Sequence, residues 1–418
     1  MEILSTGEKI KRARIYKGIT LKDLCEDKIS ISKMSCIENG KVKAGKEIIQ
    51  FIANKIGLDY DYLIQDVYEQ IVENLAAIKN GKNNGEEEIK HNLYYAVEYG
   101  YYELAFELVH ILFSYYLHEQ KYEKIQLIIS QYYDLYQKNN KDENTIIYFS
   151  DMAKYLLQNK EYIEAIAYYV RLREIIKIKE AKEKELYSTI TYNEGICYCK
   201  LHNEIEAYLL LKESIKYLEY LQGDINKGKV CQAYALTCIR LRYEEAEEYV
   251  KKAYEYQKSN PMIVASAKGE YGKAYFEVGE SHKAVEEILE GITIFPTYNK
   301  EKHVQFLNES IETLYKYSQY DKAYELTGQA LDLAIETGNI KLIEKAYYFK
   351  GSILQSGGSF REAEMYMNLA LDSLLKFGTK EERRKRYLDM ANMYYKLGDI
   401  KDSLKYFSLA MTKERNIL

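Results

Sequence analysis

Residues that interrupt helices are scarce in this sequence. Its 418 residues include 2 prolines and 22 glycines, and runs that alternate apolar and polar residues, as half-buried strands do, are missing. Because helices joined by short turns fit such a composition best, we predict an all-α protein. With 47% hydrophobic residues, the chain is long enough to form more than one domain around a sizeable core.

The chain also lacks a long apolar run. Residues 1–8 contain none, and the most apolar later stretch, Leu104–Leu117, is interrupted by Glu107 and His110. We therefore expect neither export nor membrane insertion. In such a chain, cysteines are expected to be reduced thiols of a cytoplasmic protein rather than a disulfide framework. There are six of them: Cys25, Cys36, Cys197, Cys199, Cys231 and Cys238.

No pattern of residues indicates catalysis or metal binding. The histidines are scattered, and no His-x-x-x-His or Cys-x-x-Cys spacing is present. Two segments, 40–46 and 223–229, partly resemble a phosphate-binding P-loop. However, Glu47 and Val230 follow them in place of Ser or Thr, and neither segment follows a strand. The sequence therefore predicts no enzyme, no metal and no cofactor.

Charge is distributed unevenly along the chain. Up to Lys55 there are 12 Lys and Arg residues against 7 Asp and Glu residues, a balance of +5. The remainder carries −10, so the whole chain has a net charge of −5. A basic N-terminal region on an acidic body is typical of a protein that contacts nucleic acid through the basic part.

Within this basic region, residues 7–63 are predicted to form five short amphipathic helices. Gly18 ends the first helix, Thr20 caps the second, and Ser30 caps a third that runs to Glu38. Two more helices are expected near residues 45–56 and 59–65. Three segments, 20–24, 29–40 and 58–63, resemble the Xre family of helix-turn-helix domains in order and spacing.

The Xre resemblance implies that residues 30–38 form the recognition helix, which lies in the major groove of DNA. Its outward residues, which would face base edges, are Ile31, Ser32, Lys33, Ser35 and Cys36. The residues placed to grip phosphates are Arg12, Lys17, Lys41 and Lys43. The alternative is that they form a solvated basic face. Arg14 and Glu38 occupy positions that commonly form a partly buried, structural ion pair in this family.

Beyond a connecting helix at Val67–Lys79 and a linker at residues 80–85, the sequence is repetitive. Residues at successive distances of 38 to 42 align as equivalent positions, and small residues recur at fixed offsets from them, so that paired helices can pack closely. The equivalent residues are Ile125, Ala165, Ala207, Ala246, Ala284, Ala323, Ala363 and Ser403. This pattern resembles the tetratricopeptide repeat. We predict three parts: a helix-turn-helix domain (1–66), the linker (67–85) and an α-solenoid of about eight repeats (86–418).

The combination of these two parts resembles the RRNPP family of peptide-responsive quorum-sensing regulators. This resemblance implies a homodimer that binds an operator in double-stranded DNA and is controlled by a short signalling peptide in the concave groove of the array. The alternative is an array that binds a protein, such as a response regulator or an anti-repressor. The residues expected to face the groove are Asn193, Gln232, Lys273, Asn308, Glu312, Tyr315, Tyr348, Gln355 and Asn392. Amide side chains suit peptides because they both donate and accept hydrogen bonds.

Overall fold

The computed structural model describes residues 3–81, 85–176 and 181–411. In these ranges the regular elements are 23 α-helices and one short 3-10 turn, with no strand. Consecutive helices pack as hairpins along most of the chain, so the predicted all-α fold is confirmed. The chain divides into two compact units, residues 1–178 and residues 179–418.

The first unit begins with five short helices. Side chains at the N-caps set where they start: Ser5 forms a capping box with Glu8, Thr20 accepts from the Asp23 amide, and Ser30 accepts from the Lys33 amide. The helices are α1 (Thr6–Tyr16), α2 (Leu21–Cys25), α3 (Ile31–Glu38), α4 (Lys46–Ile56) and α5 (Tyr60–Ile64).

These five helices share one apolar core. Each helix contributes at least one side chain with no exposed surface: Ile10, Leu24, Met34, Ile52 and Leu63 belong to α1 through α5 in turn. Burying a large aliphatic side chain contributes roughly 1.5–3 kcal/mol. The core therefore fixes the arrangement of all five helices, including the two that flank α3.

The sixth helix, α6 (Val67–Lys79), begins and ends where the sequence indicated. It is more than a connector, because its buried Gln70 binds the N-terminal segment through two hydrogen bonds. The Leu4 amide donates to Gln70 Oε1 (3.1 Å), and Gln70 Nε2 donates to the Leu4 carbonyl (2.8 Å). Ile3 is also buried. Of the predicted 80–85 linker, residues 82–84 lie outside the described residues.

The rest of the first unit consists of longer helices that pack on their neighbours in sequence. They are α7 (Glu86–Glu98), α8 (Tyr102–His118), α9 (Tyr122–Lys138), α10 (Asp142–Gln158) and α11 (Tyr162–Ile175). The helices α7 and α8 form one hairpin, and α10 and α11 form another. Phe113 and Tyr132, which are fully buried, fill the space between α8 and α9 with their rings 5.4 Å apart.

The second unit contains six consecutive hairpins. Its helices are α12 (Ala181–Lys200), α13 (Glu204–Lys216), α14 (Asp224–Leu241), α15 (Ala246–Gln257), α16 (Pro261–Glu277), α17 (Ser281–Ile294), α18 (Lys300–Lys316), α19 (Tyr320–Thr337), α20 (Ile340–Ser356), α21 (Phe360–Leu374), α22 (Lys380–Leu397) and α23 (Ile400–Met411). A 3-10 turn, Leu218–Tyr220, follows α13. Each odd-numbered helix packs most extensively on the helix before it.

Small residues mark the points where the two helices of a hairpin cross. A Cβ atom added to Gly272 of α16 would lie 2.5 Å from Cγ1 of Ile288 and 2.9 Å from the Ala284 carbonyl oxygen of α17. At Gly351 of α20, it would lie 2.8 Å from Cγ of Met367. The predicted pattern of small residues is therefore a consequence of close helix packing, which produces the tetratricopeptide-like hairpin.

Candidate nucleic-acid interface and ligand surface

The helix α3 exposes one face and buries the other. Its exposed residues are Ile31, Ser32 and Lys33, and its half-buried residues are Ser35 and Cys36. Met34 and Ile37 of the opposite face lie in the core of the five-helix bundle. The exposed and half-buried residues are the five that the sequence analysis placed on the outward face of this helix.

An ion pair holds α3 against α1. Arg14 Nε lies 2.6 Å from Glu38 Oε1 and Arg14 Nη2 lies 3.0 Å from Glu38 Oε2, so the pair has two parallel contacts. Arg14 Nη1 also donates to the Ile19 carbonyl (3.1 Å). The two side chains are 13% and 4% exposed. Because three segments meet at one guanidinium, the orientation of α3 is closely fixed.

The four basic residues predicted to grip phosphates are all exposed. Lys41 and Lys43 are exposed in the turn that follows α3, and Arg12 is exposed on α1. Lys17 is exposed too, but its Nζ lies beside Gly57 at the end of α4. Lys11 was not among the predicted residues, but its Nζ lies 3.4 Å from Asn39 Oδ1 at the end of α3. Its position one turn before Arg14 on α1 was the available signal.

In the second unit, the first helices of successive hairpins form a common surface. The helix α14 contacts both α12 and α16, and α18 contacts both α16 and α20. The second helices pack mainly on the first helices of their own and the following hairpin. Stacked first helices form the inner face of a helical-hairpin array, and that face is available to ligands.

All nine predicted groove residues lie on first helices, but they differ in exposure. Glu312 and Asn392 are exposed, while six are half-buried: Asn193, Gln232, Lys273, Tyr315, Tyr348 and Gln355. Asn308 is 1% exposed, and its Nδ2 donates to the Leu342 carbonyl of α20 (3.3 Å). The expectation that Asn308 lines an open groove is therefore wrong. It sits one turn before Ile311 on the side of α18 that packs against the next hairpin.

Four of the other predicted residues already have partners: Gln232, Lys273, Tyr315 and Tyr348. Lys273 Nζ lies 3.4 Å from Glu270 Oε1, and the Tyr315 hydroxyl lies 3.3 Å from the Ser356 hydroxyl. Gln232 Oε1 accepts from Gln257 Nε2 (3.0 Å). The Tyr348 hydroxyl donates to Asp389 (3.1 Å), and the guanidinium carbon of Arg386 lies 3.2 Å from the centre of the Tyr348 ring. Burial raises the pKa of Tyr348 to about 12, so its hydroxyl stays protonated and remains a donor. Ligand binding at any of these four residues would have to replace such contacts.

A small depression of about 60 Å³ lies between α16 and α18. Phe306, Gly269 and Ile288 contribute apolar walls. Its polar residues are Ser266, Glu270, Lys273, Glu309, Ser310 and Thr313. Of these, only Lys273 was predicted. Polar residues at 266, 270, 273 and 277 follow a helical spacing, and this spacing in the sequence could have revealed the solvent-facing side of α16.

Among the described residues, no cluster of three or more His, Cys, Asp or Glu side chains has the arrangement of a metal site. No helix in the described ranges combines the length and the apolar character needed to span a membrane.

Comparisons with known proteins identify the repeat. Residues 344–373, in α20 and α21, match the tetratricopeptide repeat family model. No curated protein matches the sequence. The α20–α21 hairpin is thus similar to a tetratricopeptide repeat, in agreement with its helix packing.

Several solved structures are similar at low sequence identity. PlcR of Bacillus thuringiensis, solved with the peptide PapR7 and DNA, is 19% identical over 61% of this chain and 94% of its own, with a TM-score of 0.32. The apo quorum sensor NprR from B. thuringiensis is 17% identical over 82% of this chain and 99% of its own, with a TM-score of 0.43. A signal transduction ATPase with a tetratricopeptide repeat sensor from Pyrococcus horikoshii is 16% identical over 90% of this chain and 54% of its own, with a TM-score of 0.47.

Proposed function

We propose that this protein is a non-catalytic, cytoplasmic transcriptional regulator that binds DNA through its first five helices. The observation that carries the proposal is the face of α3, which is exposed beside Lys41 and Lys43 and fixed by the Arg14–Glu38 pair. Residues 1–66 are the DNA-binding domain, 67–85 the connection, and 86–418 the part that binds the ligand and dimerises.

The chemistry of the α3 face suits the DNA major groove. The Ser32 hydroxyl can donate to or accept from base edges, and Ile31 offers an apolar contact for a thymine methyl group. Arg12, Lys17, Lys41 and Lys43 supply positive charge for phosphates. Phosphate contacts orient the helix and provide much of the affinity, while the few base contacts supply the sequence preference.

We further propose that a short signalling peptide controls DNA binding by lying on the first helices of the second unit. The exposed and half-buried side chains there include Asn392, Lys273 and Glu312, which can bind backbone amides and peptide termini. A ligand that contacts several hairpins favours one curvature of the array. Binding one state roughly 10 to 100 times better than the other, about 1.4–2.7 kcal/mol, shifts a balanced population strongly.

The DNA-binding proposal is tested by selecting bound sequences from random double-stranded DNA and then measuring affinity against salt concentration. Lys41→Ala and Lys43→Ala should weaken binding to all sequences alike and reduce the salt slope by about one for each lost phosphate contact. Ser32→Ala should instead change the preferred sequence. Lys251→Ala, an exposed lysine of α15, is the matched control and should behave as the parent. Failure to enrich any sequence would refute the proposal.

The peptide proposal is tested by native mass spectrometry of the purified protein, which detects a bound peptide and separates it from a bound protein. Peptides encoded by small reading frames beside the gene are then titrated against the parent and against Lys273→Ala, Glu312→Ala and Asn392→Ala. Losing one partner of a buried hydrogen bond costs about 1–3 kcal/mol, or some 5- to 150-fold in affinity. The melting temperatures of these variants should stay close to that of the parent. Tight binding that none of the three substitutions weakens would refute this surface.

A further inference from the structure

An exposed apolar surface lies in the first unit, between α5 and α6. Four large apolar side chains that are close together there are exposed: Tyr62 (43%), Ile64 (41%), Tyr68 (46%) and Val72 (39%). They line an open depression of about 670 Å³. We call these residues, with the acidic residues around them, the α5–α6 patch. Single exposed apolar residues are ordinary, but a cluster of this kind marks an interaction surface.

The charge around this cluster has one sign. Four exposed carboxylates line the same depression: Asp59 and Asp61 at the start of α5, and Glu69 and Glu73 on α6. None of the described residues that line it is a lysine or an arginine. A cavity lined by carboxylates concentrates the negative potential and attracts positively charged ligands.

A buried amine, that of Lys9, lies beneath the patch and serves the fold. Lys9 is 2% exposed, and its Nζ donates to the carbonyl oxygens of Tyr62 (2.6 Å) and Gln65 (2.7 Å) at the end of α5. Because this ammonium is committed to backbone oxygens, it offers no hydrogen-bond donor at the surface. Its position also fixes the end of α5, so that the patch is preformed.

The patch is separate from the proposed DNA-binding face. Within the bundle, α5 packs on α1 and α4, whereas α3 packs on α1 and α2. Phosphates are repelled by the carboxylates of the patch, which excludes DNA as its ligand. A second copy of the patch is disfavoured for the same reason, since like charges placed across an interface cost several kcal/mol.

We propose that the α5–α6 patch docks a basic amphipathic segment of another protein, in which lysine or arginine residues accompany aliphatic or aromatic ones. The apolar residues of the segment cover Tyr62, Tyr68 and Val72, and its cations face the four carboxylates. Aromatic side chains are favoured at the centre of such interfaces, where each buries a large area at a small entropic cost. This interaction requires neither DNA nor the signalling peptide.

The test uses the full chain and three fluorescent peptides of equal length. The first alternates leucine and lysine. In the second, glutamate replaces every lysine, and in the third, serine replaces every leucine. Fluorescence anisotropy should show that only the leucine–lysine peptide binds. The double variant Val72→Ser, Glu73→Lys should weaken this binding by at least about tenfold. Both substituted side chains are exposed, and an unchanged melting temperature shows that the fold is retained.

A matched double variant provides the control. Leu127 is an isolated exposed residue of α9 (82%), and Glu286 is an exposed residue of α17, so Leu127→Ser, Glu286→Lys changes polarity and charge equally but elsewhere. It should bind the peptide as the parent does. Equal binding of the serine–lysine peptide, or equal loss in both double variants, would show that charge alone acts and overturn the proposal. Light scattering in which only the Val72→Ser, Glu73→Lys variant loses self-association would assign the patch to copies of this chain, and that would overturn it too.

Discussion

At the scale of single residues, the Arg14–Glu38 pair is the contact whose loss should matter most for the first five helices. We predict that Glu38→Ala lowers the free energy of unfolding of the first unit by about 3–5 kcal/mol, because the guanidinium of Arg14 stays buried without its partner. Urea titration followed by circular dichroism of parent and variant measures the difference.

A double variant distinguishes the pair from its individual residues. In Arg14→Met, Glu38→Leu no charge is left buried, so its loss of stability should be smaller than that of Glu38→Ala. The single variants Arg14→Met and Glu38→Leu are measured as well. If the loss of stability in the double variant equals the sum of the losses in these two, the side chains act independently and our interpretation of the contact is wrong.

A second prediction at this scale concerns Glu86, at the start of α7. Hydrogen bonds from Lys124 and Lys90 hold the pKa of this carboxyl at about 2, below its ordinary value of 4.5. A depressed pKa in the folded state stabilises the fold above pH 4.5, and this contribution is lost as the pH falls toward 2. The difference in melting temperature between the parent and Glu86→Gln should therefore be largest near neutral pH and should disappear as the pH falls toward 2. A gap independent of pH would contradict this.

At the scale of helices, the hairpin crossing in α16 and α17 leaves no room for a methyl group. We predict that Gly272→Ala lowers the melting temperature, because its Cβ would lie 2.5 Å from Ile288 and overpacking costs about 1–3 kcal/mol. Gly328 of α19 is the matched control, since nothing lies within 4 Å of a Cβ atom at that position. There alanine should raise stability by up to about 1 kcal/mol through its higher helix propensity. Changes of the same sign in both variants would contradict the assigned crossing.

Helix positions were largely predictable from the sequence, because their signals are local. The hydroxyls of Thr20 and Ser30 cap the starts of α2 and α3, and Gly57 takes a left-handed conformation at the end of α4. Each of these boundaries is therefore determined by a residue next to it in the sequence. The exposure of Asn308 was not predictable in this way. It depends on which side of α18 packs against α20. The rotation of α18 about its own axis determines that side, and it is set by packing over many residues rather than by a local pattern.

The role of Gln70 was missed for a related reason. A glutamine on a connecting helix gives no sign in the sequence that it will bind a backbone segment 66 positions earlier. Likewise, the apolar residues of the α5–α6 patch are spread over two helices, and only their joint exposure distinguishes them from core residues. Contacts between distant segments were therefore the part of the structure that could not be predicted from the sequence.

At the scale of the whole molecule, we predict that the protein binds DNA as a homodimer on an inverted repeat. One α3 helix contacts few bases, and pairing two copies doubles the contact. Half-sites read by two such helices lie about 34 Å apart, or a whole number of helical turns further. Light scattering of the complex with a selected sequence gives the number of chains bound. One chain per site, with half-sites absent from the selected sequences, would contradict the prediction.

The pairing of Leu4 with Gln70 also has a consequence for the order in which the chain folds during synthesis. Ile3 and Leu4 are made well before Gln70, because the amide that binds Leu4 is added 66 residues later. At roughly 5–20 residues per second, the N-terminal segment waits several seconds on the ribosome for its partner. The five-helix bundle therefore completes its structure only after α6 has emerged. A released fragment that ends at residue 66 should expose Ile3 to proteases that the longer chain resists.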